Sequence, residues 1–316
     1  MRKLLSAALV CLALSSAGAG AALGNDAPAQ QQDGQQLLVS FKPREGRITL
    51  PGGIATLDLP ENFRYLDADD SARLLEAWGN PPGARTLGMI VPAGVSPMAS
   101  QSWGVVVTYD KDGHVKDNDA DSIDYGKLLK EMQEGLEEGN AERKKQGYRA
   151  MSLVGWAEPP HYDKASHKLY WAKELQSEGD ALRGLNYNIR VLGRGGVLVL
   201  DAVAGIHQLD EIRKVMQQVT SFTNFTAGNR YADFNASTDK PAEYGIAALV
   251  AGGAAAKLGL FGKLFALLLA FKKLIVVGLA AAASVLWKFF KREPKAAAPA
   301  RLARSESKPD KVDLSR

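Results

Sequence analysis

The chain has 316 residues, of which 46% are hydrophobic and 23% charged, a composition typical of folded rather than disordered proteins. Residues 25–244 contain 24 Lys and Arg against 31 Asp and Glu, whereas residues 245–316 contain 13 against 4. The basic excess therefore belongs to the C-terminal part, and the acidic central part argues against a DNA- or RNA-binding surface.

The N-terminus has the pattern of a secretory signal. Arg2 and Lys3 precede the apolar residues 4–14, and small residues follow as far as Ala22. We predict that residues 1–21 are a signal peptide and that residues 22–36 are a flexible lead-in. The single cysteine, Cys11, lies within the apolar run, so the mature chain is predicted to have no disulfide and no thiolate metal site.

Residues 37–244 are the predicted exported body. Alternating apolar and polar residues, separated by Pro and Gly turns, predict strands at residues 37–41, 47–59, 86–91, 103–109, 148–156, 167–175, 185–192 and 197–204. Helical periodicity and N-terminal acids predict helices at residues 72–78, 125–146 and 209–222.

The order of these elements predicts an α+β fold, because strands occur in runs and do not alternate strictly with helices. The last four strands form an antiparallel meander followed by a helix. The helices pack on one face of the sheet or on both faces, as in an α/β/α sandwich. The body is either one domain or two subdomains, residues 37–146 and 147–244.

An apolar run broken by five lysines occupies residues 245–290 and predicts a membrane anchor region at residues 245–292. In one arrangement, residues 274–290 span the membrane, and residues 245–271 lie in the interface or pack against the span. In the other, residues 245–262 also span and form a hairpin. Ala247, Ala251, Ala255 and Gly259 recur every four residues, which favours helix pairing within one chain or between chains.

The basic residues that follow Trp287 favour a cytoplasmic tail, and hence one span, by the positive-inside rule. Residues 293–316 are predicted to be a disordered basic tail. The predicted location is the inner (cytoplasmic) membrane, crossed once or twice, with the body in the periplasm. The predicted partners are the bilayer and either an envelope protein or further copies of this chain that associate through the anchor.

Several short phrases together resemble one protein family. They are Trp78-Gly79-Asn80-Pro81-Pro82, Asp119-Ala120-Asp121, Gly155-Trp156-Ala157, Tyr162-Asp163, Leu169-Tyr170-Trp171-Ala172, Leu185-Asn186-Tyr187, Arg190-Val191-Leu192-Gly193-Arg194-Gly195, Arg230-Tyr231-Ala232-Asp233-Phe234 and Asp239-Lys240. The chain resembles the bacterial membrane-anchored proteins grouped as domain of unknown function 2167. This resemblance implies a location and an anchor, and it implies no chemistry or functional residue. The second half of the body also resembles the small sandwiches of the photosystem PsbP and Mog-one type, which implies a binding or assembly module.

The acidic segment 110–124 is a candidate calcium loop. Asp117, Asp119 and Asp121 occupy alternate positions, as at the start of an EF-hand loop. Ser122 stands where that loop needs glycine, and Leu128 stands where it needs glutamate. The alternative is a solvated loop whose last acids cap the following helix. We predict no metal and no cofactor.

Catalytic motifs are weak in this sequence. The histidines, His114, His161, His167 and His207, lack zinc-site spacing, and Gly193-x-Gly195 joins two strands and not a strand and a helix. A hydrolase would need a carboxylate pair such as Glu158 with Asp163. Whether the chain is an enzyme stays uncertain, and the sequence favours that it is not one.

Aromatic residues concentrate on the predicted meander. Tyr170 and Trp171 are consecutive, so they point to opposite faces of a strand. Either helices cover both faces, or Trp156, Tyr170 and Trp171 contribute to an exposed aromatic binding patch. The leading hypothesis is a non-enzymatic binding or assembly module that is anchored in the membrane and faces the periplasm. The alternatives are an envelope hydrolase and an accessory subunit of a membrane complex.

Overall fold

The computed structural model describes residues 39–252, which belong to one compact unit. Its centre is an antiparallel sheet of seven strands in the order β3-β4-β5-β10-β9-β8-β7. These strands are β3 (Phe63–Leu66), β4 (Gly88–Pro92), β5 (Gly104–Asp110), β7 (Met151–Asp163), β8 (Lys168–Ser177), β9 (Gly184–Leu192) and β10 (Val197–Gly205).

Strand alternation sends side chains to two different cores. Val105 and Val107 of β5 join a large core on one face, and Val106 joins a smaller core on the other. The large core is covered by helix α3 (Leu209–Phe222) and by a second sheet of three strands, β1 (Arg47–Thr49), β2 (Ala55–Asp58) and β11 (Thr223–Phe225).

The opposite face is covered by the remaining elements. They are α1 (Ala68–Ala77), α2 (Tyr125–Lys145), the short helix α4 (Ile246–Ala251), and a parallel pair formed by β6 (His114–Lys116) and β12 (Pro241–Gly245). Helices therefore lie on both faces of an antiparallel sheet. The predicted α+β class and the four-stranded meander β7–β10 are confirmed.

The proposed division into subdomains at residue 146 is wrong. Strand β5 comes from the first half of the body and pairs with β10 from the second half over seven residues, with Val107 opposite Leu200. Both halves therefore share one sheet and one core. The predicted strand at residues 37–41 is also not formed in its described part, because residues 39 and 40 are helical.

Helix α2 and a short N-terminal segment protect the two edges of the large sheet. The side-chain amide of Asn140 in α2 bonds to both backbone groups of Met151 on edge strand β7. It accepts from the Met151 N–H at 2.8 Å and donates to the Met151 carbonyl at 2.9 Å. On edge strand β3, Tyr65 exchanges two backbone hydrogen bonds with Arg44. These contacts satisfy backbone groups that would otherwise pair with another chain.

Between residues 39 and 252, the structure contains no helix that is long and apolar enough to cross a membrane. The predicted signal peptide, the lead-in, residues 253–292 of the anchor region and the tail lie outside the described residues.

Gly88 allows a close approach between β4 and the Tyr65 ring, so substitution there should destabilise the body. A Cβ at Gly88 would lie 2.3 Å from the ring Cζ of Tyr65, whose hydroxyl donates to the Leu87 carbonyl. We expect Gly88→Ala to lower the free energy of unfolding by about 1–3 kcal/mol, as overpacking usually does. The measurement is equilibrium urea unfolding followed by tryptophan fluorescence.

The matched control is Gly135→Ala in α2, where the added Cβ meets no other atom within 4 Å. It should raise stability by about 0.5–1 kcal/mol through helix propensity. Equal midpoints for Gly88→Ala and the unmodified protein would contradict the packing that we describe around Tyr65.

Candidate functional site at the C-terminal junction

Side chains that are far apart in the sequence meet beside β12 and α4, where the described chain ends. We call this group the C-terminal junction. Its members are His114, Asp117, Asp119, Tyr162, His167, Arg194, Tyr231, Phe234, Asp239 and the apolar residues of α4.

Helix α4 is held in the body by a cap and by burial. The Asp119 carboxylate accepts from the backbone N–H of Ile246 at 3.0 Å and of Ala247 at 3.3 Å. Ile246, Leu249 and Val250 are at most 2% exposed, in the same core as Trp171. The helix ends at Ala251 and is capped by Gly252, whose φ of 91° suits glycine.

This arrangement corrects the predicted start of the membrane anchor. Residues 245–251 were assigned to the anchor region, but Gly245 ends strand β12, and the helix that follows packs in the body. The same finding disagrees with a spanning helix over residues 245–262, because the helix that begins at Ile246 ends at Ala251. Apolar residues next to an anchor can be buried in protein as well as in lipid.

Four rings stack in a row and join three parts of the chain. Phe234 lies 3.9 Å from His114, His114 lies 4.2 Å from Tyr231, and Tyr231 lies 4.0 Å from His167, measured between ring centroids. The Tyr231 hydroxyl donates to the Val115 carbonyl at 3.0 Å. The stack therefore fastens Tyr231 and Phe234 to β6 and to the turn between β7 and β8.

Asp117 links this stack to strand β7. The Tyr162 hydroxyl donates to the Asp117 carboxylate at 2.9 Å and lies 3.3 Å from Nδ1 of His167. Burial, followed by the hydrogen bond to Asp117, raises the pKa of Tyr162, and burial raises the pKa of Tyr231 to about 12. Both phenols stay protonated at neutral pH, so neither is suited to act as a nucleophile.

Arg194 and Asp239 form a two-point ion pair above the β9–β10 turn. Nε of Arg194 donates to Oδ2 of Asp239 at 2.7 Å, and its second terminal nitrogen donates to Oδ1 at 2.9 Å. The guanidinium, and then the backbone N–H of Asn235, hold the pKa of Asp239 well below its usual value. Gly193 allows this turn to pack closely, since a Cβ there would lie 2.6 Å from the Phe225 ring.

The three aspartates of the candidate calcium loop turn to three different partners. Asp117 binds Tyr162, Asp119 caps α4, and Asp121 pairs with Lys164. Residues 39–252 contain no group of three or more His, Cys, Asp or Glu side chains placed to hold a metal ion. These acids act here as structural acceptors.

The carboxylates and histidines considered as catalytic candidates also contact different partners. Glu158 accepts from Tyr187 and Arg213, whereas Asp163 accepts from Ala165 and Ser166 in the turn after β7. His161 stands opposite Tyr170 across the β7–β8 ladder, and His167, at a φ of 52°, turns instead into the ring stack. His207 is exposed at the start of α3. The glycines at 193–196 form a hairpin turn, as predicted.

Of the three rings of the possible aromatic binding patch, Trp171 is buried, and Trp156 and Tyr170 are half-buried. Trp171 is 1% exposed and lies under the Arg190 guanidinium, which is 4.8 Å from the ring centroid. Trp156 packs against the same core, and Tyr170 packs against the core on the other face. Elements on both faces of the sheet therefore cover Trp171 fully and the other two rings in part.

Sequence reasoning missed the pairing of Arg194 with Asp239 and the stack around His114. Each of these residues except His114 and His167 stands in one of the short phrases that carry the family resemblance. The signal was therefore present, but spacing along the chain did not show that the phrases meet in space.

The fold and the junction define an α+β protein whose last described helix is built into its core. Residues 42–283 match the family described as Protein of unknown function (DUF2167), and the chain belongs to this family. No curated protein matches the chain.

Two solved structures show a distant likeness to the chain. The solution structure of cyanobacterial PsbP (CyanoP) from Synechocystis sp. PCC 6803 is 12% identical, and the match covers 66% of this chain and 99% of that one, with a TM-score of 0.32. The Ran-binding protein Mog1p of Saccharomyces cerevisiae is 11% identical, and the match covers 62% and 100%, with a TM-score of 0.30.

Removing the cap on α4 should destabilise the body. Asp119→Ala leaves the N–H groups of Ile246 and Ala247 without their acceptor, and we expect a loss of about 1–2 kcal/mol in the free energy of unfolding. Asp121→Ala is the matched control, since the Asp121 side chain is 80% exposed and pairs with an exposed lysine. It should change stability by less than about 0.5 kcal/mol. Equal effects of the two substitutions in urea unfolding would contradict the capping role.

Proposed function

We propose that this chain is an exported protein of the bacterial envelope, held in the cytoplasmic membrane through residues after Gly252, with its α+β body in the periplasm. The body serves as a non-enzymatic binding or assembly module. Its partners are the bilayer and either an envelope protein or further copies of the chain that associate through the anchor.

The burial of α4 is the observation that carries this proposal. From Tyr244, whose hydroxyl donates to Asp112, to Val250, the chain is fixed in the body, and the apolar sequence resumes at once after Gly252. No polar linker separates helix α4 from the apolar sequence that follows Gly252. An anchor region that starts within a few residues of Gly252, with residues up to 271 in the interface or against the span, would hold the body against the membrane surface without a flexible tether.

The distribution of basic residues and the side-chain pairs at the junction support the same proposal. Lys288, Lys291 and Arg292 follow Trp287 closely, as the positive-inside rule expects when the basic end stays in the cytoplasm. At the junction, the polar side chains bind one another: Arg194 binds Asp239, and Tyr162 binds Asp117. Groups engaged in this way hold elements together, which suits a body that is fixed to an anchor and not an active site.

Reporter fusions test the topology. Alkaline phosphatase fused after Gly252 should be active, because it reaches the periplasm, and the same enzyme fused after Arg292 should be inactive. β-Galactosidase fused at the same two sites should give the reverse pattern. Deleting residues 1–21 should abolish the phosphatase activity of the fusion after Gly252. Phosphatase activity at both sites of the unmodified chain would contradict a single span.

Truncation tests whether the body and the anchor separate after α4. A chain that ends at Gly252 keeps α4 and should be recovered folded in the periplasmic fraction, whereas the full chain should stay in the membrane pellet after carbonate extraction. A chain that ends at Asp239 lacks β12 and α4, which leaves part of the core around Trp171 uncovered. It should therefore be degraded or aggregate. Membrane retention of the chain that ends at Gly252 would contradict the proposed position of the anchor.

A further inference from the structure

Residues 226–240 cross the body as a strap between β11 and β12. The strap contains a single turn of 3-10 helix, Tyr231–Asp233, and it depends on other parts of the chain for its position. Besides hydrogen bonds such as those from the Arg194 N–H to the Asn229 carbonyl and from the His114 N–H to the Lys240 carbonyl, two sets of side-chain contacts hold it. One is the Arg194–Asp239 ion pair, and the other is the stack of Tyr231 and Phe234 on His114. The strap leads directly into β12 and α4.

His114 lies between Tyr231 and Phe234 in this attachment, and its burial favours the neutral form of the imidazole. It is 7% exposed, and its Nδ1 is buried without a hydrogen-bond partner. The charged and titratable groups that face it are Asp117 and His167, together with the backbone of Gly193 and Arg194. A neutral imidazole has one N–H, and an imidazolium has two, so a proton on Nδ1 would bury a charged donor without an acceptor.

The neighbouring Asp117 carboxylate does not remove the energetic cost of burying this charge. The Asp117 carboxylate already accepts from Tyr162, and it lies 3.7 Å from Nδ1 of His167. The Asp117 charge and the backbone of Gly193 and Arg194 favour a proton on His114, but burial outweighs them. Both histidines lie next to the Tyr231 ring, but Nδ1 of His167 faces the Tyr162 hydroxyl, whereas Nδ1 of His114 is buried without a partner.

We propose that His114 is an acid-sensitive latch, whose protonation releases residues 226–240 from the body and loosens the attachment of β12 and α4. The inference rests on the packing within the body and is independent of the proposed membrane attachment. It adds regulation by pH to a junction that otherwise has a purely structural role.

The direction of the pH effect follows from linkage. Burial lowers the pKa of His114 from its ordinary value of 6.5, so the released state takes up a proton at a higher pH than the closed state does. Protection of the strap should be complete above 6.5 and should be lost as the pH falls below that value.

Hydrogen–deuterium exchange on the full mature protein in detergent micelles tests the latch. Labelling times at pH 7.5 and pH 5.5 are scaled to the intrinsic exchange rates, so that remaining differences report structural opening. We expect peptides from residues 226–245 to exchange about tenfold faster at pH 5.5, and peptides from β9 and β10 to be unchanged. Equal corrected exchange of the strap at the two pH values would overturn the proposal.

Variants assign the effect to one side chain. His114→Phe keeps an aromatic ring in the stack and cannot take up a proton, so its strap should be protected equally at both pH values. His207→Gln changes an exposed histidine, and His167→Gln changes the other end of the stack; both variants should keep the faster exchange at pH 5.5. A pH response in His114→Phe equal to that of the unmodified protein would show that the latch is not His114.

An NMR titration keeps the test decisive if His114→Phe does not fold. The ring-proton resonance of His114 in the unmodified protein, assigned through His114→Gln, should titrate over the same pH range in which the strap loses protection. A His114 resonance that titrates outside that range would overturn the proposal.

Discussion

The carboxylate of Asp119 at the start of α4 is the interaction on which the C-terminal end of this structure depends. A helix of six residues is too short to be stable alone, and its first N–H groups have no partners within the helix. The cap supplies those partners, and the burial of Ile246, Leu249 and Val250 supplies the packing. Together they extend the body's core up to Gly252.

Two of the side-chain attachments of the strap that precedes this helix differ in their chemistry. Arg194 lowers the pKa of Asp239, which favours their ion pair. The stack around His114 contains instead a buried imidazole, whose pKa burial lowers and whose Nδ1 has no hydrogen-bond partner. The acid response that we propose for the strap therefore concerns the stack and not the ion pair.

The structure places the side chains of two candidate sites apart from one another, for identifiable physical reasons. Asp117, Asp119 and Asp121 would converge on one cation only in an extended loop with the right turn. Here a 3-10 turn at Ala120–Ser122 sends them to separate partners. Trp171 was a candidate for an exposed patch because strand alternation placed it away from the main core. The helices on that face form a second core, which covers it.

The sequence by itself determined the elements whose signals are local. Alternation predicted the strands of the meander, periodicity predicted α2 and α3, and the acids before α1 predicted its start, with Asp67 as the observed N-cap. Tertiary structure alone decided the joining of the two halves in one sheet and the position of α4. Asp119 and Ile246 are 127 residues apart, and an apolar residue carries the same signal whether lipid or a protein core buries it.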